Sequence, residues 1–231
     1  MSKRKTEGFQ NKLEWLKARF AEGMRIKMLE LPERGFIEYL PGEYAWRSVN
    51  APDYMFIHCL WIVGKSKNQG FAGALMQECF RDAKAAGKIG VAMLASEGNW
   101  LMGKKALVKH GFVSAAKESP FTLMVKRFGQ ADPPSFTGGW EEKAGRFGAG
   151  LTVIRTAQCP YIPDATDTVL EVARELGISS RVVELKSSEE IREKAPSPYG
   201  VFNIVYDGRL LSYHYLLPKD MKAALIKAAS R

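Results

Sequence analysis

The sequence WIVGKSKNQGFAGALM, residues 61–76, joins the end of an apolar run to the start of an amphipathic segment. The run before it, residues 54–63, is short and rich in aromatic and aliphatic residues, which predicts a strand buried on both faces. The apolar residues after it recur at the spacing of one helical face: Leu75, Met76, Cys79, Phe80 and Ala83. Gly87 ends this helix. The sequence therefore predicts a strand–turn–helix unit, around which the first half of the chain is organised.

The turn between strand and helix is polar and contains the small residues Gly70, Ala72 and Gly73. Small side chains let a ligand approach the backbone, and the first amides of a helix have no partner within it. A helix start of this kind binds phosphate groups, assisted by the helix dipole. Lys65 and Lys67 add positive charge. These features predict a cradle for a pyrophosphate.

The hydrophobic pattern divides the chain into three segments: a domain over residues 1–128, a linker over 129–150 and a second domain over 151–231. The first domain opens with a predicted helix over 8–22. Pro, Gly and charged residues dominate the linker. The second domain has the order βαβαββα, with a hairpin turn at Asp207-Gly208. The fold class is α/β (α+β), with helices on mixed sheets.

Two local predictions in the first domain concern segments with weaker patterns. Residues 43–49 are predicted to form a short extended segment after the Pro41-Gly42 turn. A second helix is predicted to begin at Asn99 or Trp100 and to end at Gly111.

The composition, 231 residues of which 46% are hydrophobic, is sufficient for two buried cores. The net charge of +9 fits a phosphorylated ligand and favours an acceptor that carries negative charge. Because the basic residues are spread along the chain, a dedicated nucleic-acid groove is not indicated. The three cysteines form no C-x-x-C pair, so neither disulfides nor a metal site are expected. With no signal-peptide core and no membrane-length apolar run, a cytoplasmic protein is expected.

The first domain, over about residues 8–128, resembles the GNAT superfamily of acyl-CoA-dependent N-acetyltransferases. The resemblance rests on the strand ending Trp61-Ile62-Val63, the turn from Lys67 to Ala72, the helix after it, and Lys109-His110-Gly111-Phe112 later in the chain. The family turn usually begins with Arg or Gln, and Lys67 replaces that residue here.

This resemblance implies acetyl-CoA as the cosubstrate and assigns residues to it. The pyrophosphate would be held by the amides of six residues: Lys67, Asn68, Gln69, Gly70, Phe71 and Ala72. Trp61 and Val63 would pair through their backbone with the pantetheine arm, as an added strand does. A backbone N–H near Ile62 would polarise the thioester carbonyl. Asn99 and Lys104 are further candidates for contact with CoA.

The acceptor amine must lose a proton, and His58 and Glu97 are the candidate catalytic bases, with Glu38 or bulk water as alternatives. Because adjacent strand residues point to opposite faces, His58 and Cys59 are not predicted to act as a pair, and Cys59 is expected to be a buried thiol. The family often protonates the leaving thiolate from a tyrosine at the position of Leu107, so this chain departs from the family there.

The second domain looks like a thioredoxin-like domain, and the whole chain looks like the YoaP-like acetyltransferases, which join these two modules. Gln158-Cys159-Pro160-Tyr161 is similar to a glutaredoxin-type active site. Ile162 stands where a resolving cysteine would be, so a dithiol cycle is excluded within this chain. Cys159 precedes a predicted helix, where a thiolate is stabilised, and monothiol redox chemistry is left open.

The leading hypothesis is direct transfer of an acetyl group from acetyl-CoA to the primary amine of a small molecule or a protein. One alternative is a catalytically silent module that binds acyl-CoA, and another is a redox-responsive protein acting through Cys159. Neither a membrane nor a nucleic acid is expected as a partner, and a homodimer is left open.

Overall fold

The structure is a computed structural model that describes residues 6–98 and 101–230. The first eleven elements in chain order are α1 (Glu7–Ala21), β1 (Arg25–Met28), β2 (Gly35–Pro41), β3 (Val49–Asn50), β4 (Tyr54–Ile62), α2 (Phe71–Ala85), β5 (Gly90–Ser96), α3 (Lys104–Val108), β6 (Val113–Glu118), β7 (Phe121–Arg127) and β8 (Ser135–Phe136). The remaining elements are α4 (Trp140–Gly145), β9 (Leu151–Arg155), α5 (Ile162–Glu175), β10 (Ser180–Glu184), α6 (Ser188–Lys194), β11 (Phe202–Tyr206), β12 (Arg209–Ser212) and α7 (Pro218–Ala229). No helix within these residues is long and apolar enough to cross a membrane.

The chain divides into two structural units. The six-strand unit comprises residues 19–45 and 49–136. The four-strand unit comprises the described residues up to Ala18, the short segment Trp46–Ser48 and the described residues from Thr137 onward. The four-strand unit is therefore built from three separate stretches of sequence, and each unit has its own sheet and core.

The six-strand unit contains a mixed sheet with the strand order β1-β2-β4-β5-β7-β6. Only β4 and β5 are parallel, and α2 makes the crossover that a parallel pair requires. The five predicted apolar residues of α2 are all buried against the sheet, which confirms the predicted helix face: Leu75, Met76, Cys79, Phe80 and Ala83. Burial of these apolar side chains stabilises the helix on the sheet, at about 25 cal/mol per Å² of apolar surface removed from water.

A polar cluster fixes α2 on the sheet beside its apolar face. The hydroxyl of Tyr39 in β2 donates a 2.5 Å hydrogen bond to the carboxylate of Asp82 in α2. Arg25 and Lys27 of β1 approach the same carboxylate at 2.9 and 3.3 Å. Burial raises the pKa of Asp82, but these hydrogen bonds outweigh it and leave the pKa below its ordinary value.

Two local predictions in the six-strand unit were wrong in part. The segment predicted to be extended after Pro41 begins with a 3₁₀ turn, Gly42–Tyr44, and becomes a strand only at β3. The predicted start of the second helix, at Asn99 or Trp100, lies outside the described residues, and the described helix α3 begins at Lys104.

The four-strand unit contains a sheet with the order β10-β9-β11-β12, in which β9 and β10 are parallel and the other pairs are antiparallel. Its elements β9 to β12, α5, α6 and α7 follow the predicted order βαβαββα. The hairpin between β11 and β12 turns at Asp207 and Gly208, whose φ values of 48° and 71° suit a tight hairpin turn. Val169 of α5 and Met221 of α7 are both in the buried core.

The stretch predicted as a linker, residues 129–150, contains two elements. In the six-strand unit, β8 pairs with β3, so that Phe136 lies opposite Val49. In the four-strand unit, Lys143 of α4 donates hydrogen bonds of 2.8 and 2.7 Å to Thr137 Oγ1 and to the carbonyl of Arg192. Burial is the main reason that the pKa of Lys143 falls to about 8, and the nearby Arg146 lowers it further.

Candidate active site

The turn that joins β4 to α2 has the backbone geometry of an open cradle. Asn68 and Gly70 have φ values of 62° and 82°, in the left-handed region, and α2 begins at Phe71. A Cβ atom placed on Gly70 would meet no atom of the described residues within 4 Å. Because Gly70 has no side chain, a ligand can approach the first backbone N–H groups of α2. Such an arrangement can accept a phosphate group at the helix N-terminus.

Hydrogen bonds from a neighbouring loop hold this turn in place. Ser66, only 4% exposed, accepts a 3.0 Å bond from the backbone N–H of Arg34 and donates one of 2.5 Å to the Glu33 carboxylate. The N–H of Val63 donates to the carbonyl of Arg34 at 3.0 Å. The sequence reading overlooked Ser66, because its partners lie more than 30 residues earlier in the chain.

The parallel strands β4 and β5 pair over only part of their length. Their ladder runs from Tyr54 opposite Gly90 to Ile57 opposite Met93. Beyond that point β4 continues to Ile62, and its residues change from buried to partly exposed. Within the described residues, β4 has no sheet neighbours other than β2 and β5. Among the described residues, therefore, β4 and β5 share no ladder beyond Ile57 and Met93, and β4 continues beside β2 toward the α2 turn.

A β-bulge lies in β4 where the two strands part. Tyr39 of β2 lies opposite Ile57, whereas Glu38 lies opposite Cys59, so His58 is an extra residue in β4. Both Ile57 and Leu60 pack into the core beneath α2.

Because Ile57 and Leu60 share that face, the two residues between them lie on the face opposite α2. The expectation that His58 and Cys59 point to opposite faces is therefore wrong, since it assumed a regular strand. Cys59 is partly exposed rather than buried, while Glu38 and His58 are 5% and 3% exposed. The bulge thus brings a carboxylate, an imidazole and a thiol to one region of the sheet.

Glu97, the second candidate base, contacts the start of α3. Its carboxylate accepts a 3.1 Å hydrogen bond from the backbone N–H of Lys104. A Cβ on Gly103 would lie only 2.6 Å from that carboxylate, so a larger residue there would displace the Glu97 side chain. A carboxylate in this position satisfies an unpaired amide and the helix dipole, which is a structural role.

Three further residues of the first part of the chain bear on the site: Leu107, Asn99 and His110. Leu107, at the position where the family often has tyrosine, is fully buried in the core. Asn99 lies outside the described residues. The His110 ring, which the sequence analysis named only within the family resemblance, packs on the first turn of α2, where a Cβ on Gly73 would lie 3.0 Å from His110 Cε1.

Cys159 of the four-strand unit is partly exposed and precedes α5. Beside it, Gln158 Oε1 accepts a 2.6 Å hydrogen bond from Arg47, whose guanidinium lies 4.9 Å from the centre of the Tyr199 ring. Ile162, at the position of a resolving cysteine, is buried. The structure thus adds a buried arginine to the region of Cys159, which the sequence could not indicate because Arg47 is 111 residues away from Gln158.

No family model matches the chain. The uncharacterized N-acetyltransferase YoaP of Bacillus subtilis is 34% identical over 210 residues, which cover 89% of this chain and 82% of YoaP. A match of this length extends over both structural units.

Solved structures show weaker similarity. A ribosomal-protein-alanine N-acetyltransferase from Brucella melitensis is 14% identical, covering 52% of this chain and 78% of its own, with a TM-score of 0.39. The YhbS acetyltransferase of Escherichia coli, crystallised with CoA, is 15% identical, covering 55% and 72% of the two chains, with a TM-score of 0.38. The similarity to YoaP over both units is what decides the family: this chain belongs to the GNAT-family N-acetyltransferases.

Proposed function

We propose that the chain transfers the acetyl group of acetyl-CoA directly to a primary amine. The observation that carries this proposal is the parting of β4 and β5 after Ile57 and Met93, which leads to the open turn at Gly70. The pantetheine arm of acetyl-CoA is extended and leads to a pyrophosphate. This shape fits the position beside β4 where β5 no longer pairs with it, followed by the N-terminus of α2. The family membership supports acetyl-CoA as the donor.

In this proposal the backbone amides from Lys67 to Ala72 hold the pyrophosphate of acetyl-CoA. The main chain of Trp61 and Val63 pairs with the pantetheine arm, and an N–H near Ile62 polarises the carbonyl. Lys104 at the start of α3 is a further contact, as is Asn99. These assignments agree with the helix dipole, which favours an anion at the start of α2.

We assign the removal of the amine proton to His58, because the bulge places it where β4 and β5 part. The attacking amine must be neutral, and an imidazole accepts a proton near neutral pH. Glu97 is a weaker candidate, because its carboxylate already binds the N–H of Lys104. Leu107 offers no proton, so the released CoA thiolate takes its proton from water.

We further propose that residues 151–231 form a thioredoxin-like domain, joined by residues 129–150 to an acetyltransferase domain over 1–128. Support comes from the order βαβαββα and from the position of Cys159 before α5. We also place the protein in the cytoplasm, because its three widely spaced cysteines suggest no disulfide framework. We assign no redox cycle to this domain, because Ile162 occupies the resolving position.

The α2 helix offers a matched pair of variants to test the donor site. Gly70 and Gly87 lie at its two ends, both with positive φ and with open space around a Cβ among the described residues. Gly70→Ala and Gly87→Ala should each cost about 1–2 kcal/mol of stability. Calorimetry with acetyl-CoA should show a loss of affinity of about tenfold or more for Gly70→Ala alone.

If Gly70→Ala and Gly87→Ala bound acetyl-CoA with equal affinity, the proposed pyrophosphate site at the start of α2 would be wrong. Tight acetyl-CoA binding with no thiol release for any primary amine would favour the silent binding module instead.

A further inference from the structure

We propose that His110 takes part in donor binding by accepting a proton when the pyrophosphate of acetyl-CoA binds at the start of α2. The imidazolium then pairs with the bound anion, so that acetyl-CoA binds more tightly at lower pH. The proposal rests on the proposed function, because it adds a titratable side chain to the donor site assigned there. It makes the affinity for acetyl-CoA depend on pH around neutrality.

The first turn of α2 has three backbone N–H groups that are available to an anion. Among the residues that the structure describes, the first hydrogen bond of the helix runs from the N–H of Ala74 to the carbonyl of Gly70, at 3.1 Å. The N–H groups of Phe71, Ala72 and Gly73 have no acceptor among those residues. Such amides and the helix dipole favour a negative charge at this end of the helix.

The His110 ring turns its nitrogen-bearing edge toward this turn. A Cβ atom placed on Gly73 would lie 3.0 Å from Cε1 and 3.6 Å from Nδ1 of His110. Cε1 lies between the two ring nitrogens, so the edge of the imidazole that carries them is the one nearest to Gly73. Gly73 also carries the last of the three available N–H groups. An anion bound to these amides therefore has the imidazole beside it.

The imidazole is held in position while its nitrogens stay available. The hydrogen bonds of His110 are made by its backbone: its N–H donates to the carbonyl of Leu107 at 2.9 Å, and its carbonyl accepts from the Lys126 ammonium at 3.0 Å. The ring is partly exposed, and its nitrogens form no hydrogen bond with residues 6–98 or 101–230. A ligand can therefore bind the ring without displacing another side chain from it.

The charged groups on the segments that adjoin the ring are mostly cations. They lie on the turn before α2, on α3 and the residues after it, and at the end of β7: Lys65, Lys67, Lys104, Lys105, Lys109, Lys126 and Arg127. The first turn of α2, residues 71–74, carries no charged side chain. Two acids on adjoining segments are engaged elsewhere, since Glu78 pairs with Arg81 and Glu97 binds the N–H of Lys104. The negative charge that stabilises an imidazolium here therefore comes with the ligand.

Protonation of the ring and binding of the anion are coupled for this reason. An unperturbed imidazole is mostly neutral above about pH 7. A diphosphate beside it favours the charged form, and the proton comes from the buffer. By linkage, the protonated protein binds the diphosphate more tightly by the same factor. Binding near neutral pH therefore takes up a fraction of one proton, and the affinity falls as the pH rises.

Calorimetry with dephospho-acetyl-CoA measures this uptake at about pH 7.5, in phosphate-free buffers that differ in ionisation enthalpy. This donor keeps the diphosphate but lacks the ribose phosphate, whose own titration would obscure the result. The wild type should take up a fraction of a proton and bind on the order of three- to tenfold more tightly at about pH 6.5 than at about pH 8.5. S-acetylpantetheine, which has no diphosphate, should bind without this uptake.

Variants assign the proton to one residue. His110→Gln and His110→Phe should both lose the proton uptake and the dependence of affinity on pH. His110→Phe keeps an aromatic ring against Gly73, so it tests the proposal even if His110→Gln does not fold. His214→Gln is the matched control, because His214 lies in the four-strand unit with its Nδ1 3.3 Å from Ser212 Oγ. It should take up protons as the wild type does.

Failure of this proposal is distinguishable from failure of the donor site. If the wild type binds neither acetyl-CoA nor dephospho-acetyl-CoA, the proposed function is wrong. If it binds them but the His110 variants take up as many protons as the wild type, the role of His110 is overturned while the donor site stands. An equal loss of affinity at both pH values in these variants would also overturn it, because lost packing on α2 accounts for such a result.

Discussion

The hydroxyl of Tyr39 and the carboxylate of Asp82 form a 2.5 Å hydrogen bond that joins the sheet to α2. Burial and this bond both raise the pKa of Tyr39, so the phenol stays protonated and remains a donor. The bond therefore fixes α2, whose first turn we propose to be the phosphate site, from a point three turns further along the helix.

Asp82→Asn should destabilise the protein at pH 7 by about 1–3 kcal/mol, because three donors lose a charged acceptor. The pKa of Asp82 is lowered in the folded state, so its contribution is present above the unfolded pKa, about 3.9, and is lost as the pH falls through the lower folded value. Denaturant unfolding of variant and wild type should therefore differ at pH 7 and converge only as the pH falls below the folded pKa of Asp82, which lies under about 3.9. Glu78→Gln is the control, since Glu78 pairs with Arg81 on the exposed side of the same helix and with no other described cation.

Ser66→Ala should raise KM for acetyl-CoA about three- to tenfold while leaving kcat close to the wild-type value, because the hydrogen bonds that position the turn are lost. Glu33→Gln keeps an acceptor for the Ser66 hydroxyl and should behave nearly as the wild type. Steady-state kinetics over an acetyl-CoA series measure both parameters. A fall in kcat with an unchanged KM would show that Ser66 does not act on donor binding.

Substitution of His58 and of Glu97, the two candidate bases, should have different effects on catalysis and on stability. His58→Gln should lower kcat/KM by about 100-fold or more if the imidazole takes the amine proton, with acetyl-CoA affinity unchanged. Glu97→Gln removes the charge from the N-terminus of α3 and should cost about 1 kcal/mol of stability with little effect on kcat. Thiol-release kinetics and thermal unfolding of both variants provide the comparison. A larger kinetic loss in Glu97→Gln than in His58→Gln would reverse the assignment.

Lys143 should make the stability of the four-strand unit depend on pH in the alkaline range. Its folded pKa is about 8, below the unfolded value of about 10.4, so the unfolded chain binds more protons between these values. Wild type should therefore gain stability relative to Lys143→Met as the pH rises from about 8 to 10, by no more than about 3 kcal/mol. Lys194→Met is the control: hydrogen bonding to Glu190 raises the pKa of Lys194, so it stays charged over this range. If the free energies of unfolding of wild type and Lys143→Met changed equally with pH, Lys143 would not be the source of the pH dependence.

Local patterns in the sequence determined the elements and the position of the turn. The apolar face of α2 from Leu75 to Ala83, the hairpin at Asp207-Gly208 and the glycine at position 70 all follow from interactions within a few residues. Side-chain periodicity and left-handed backbone conformations are local properties, so a single sequence is enough to predict them.

Only the tertiary structure decided which side chains meet. The extra residue His58 appears when β4 is aligned with β2, and it turns His58 and Cys59 to one face, which no pattern within β4 indicates. Ser66 forms a hydrogen bond with Glu33, which is 33 residues away in the sequence, and Gln158 forms one with Arg47, which is 111 residues away. Strand register and such distant contacts depend on how whole elements pack together, so the positions of the proposed base and of the residues that support the turn before α2 required the folded chain.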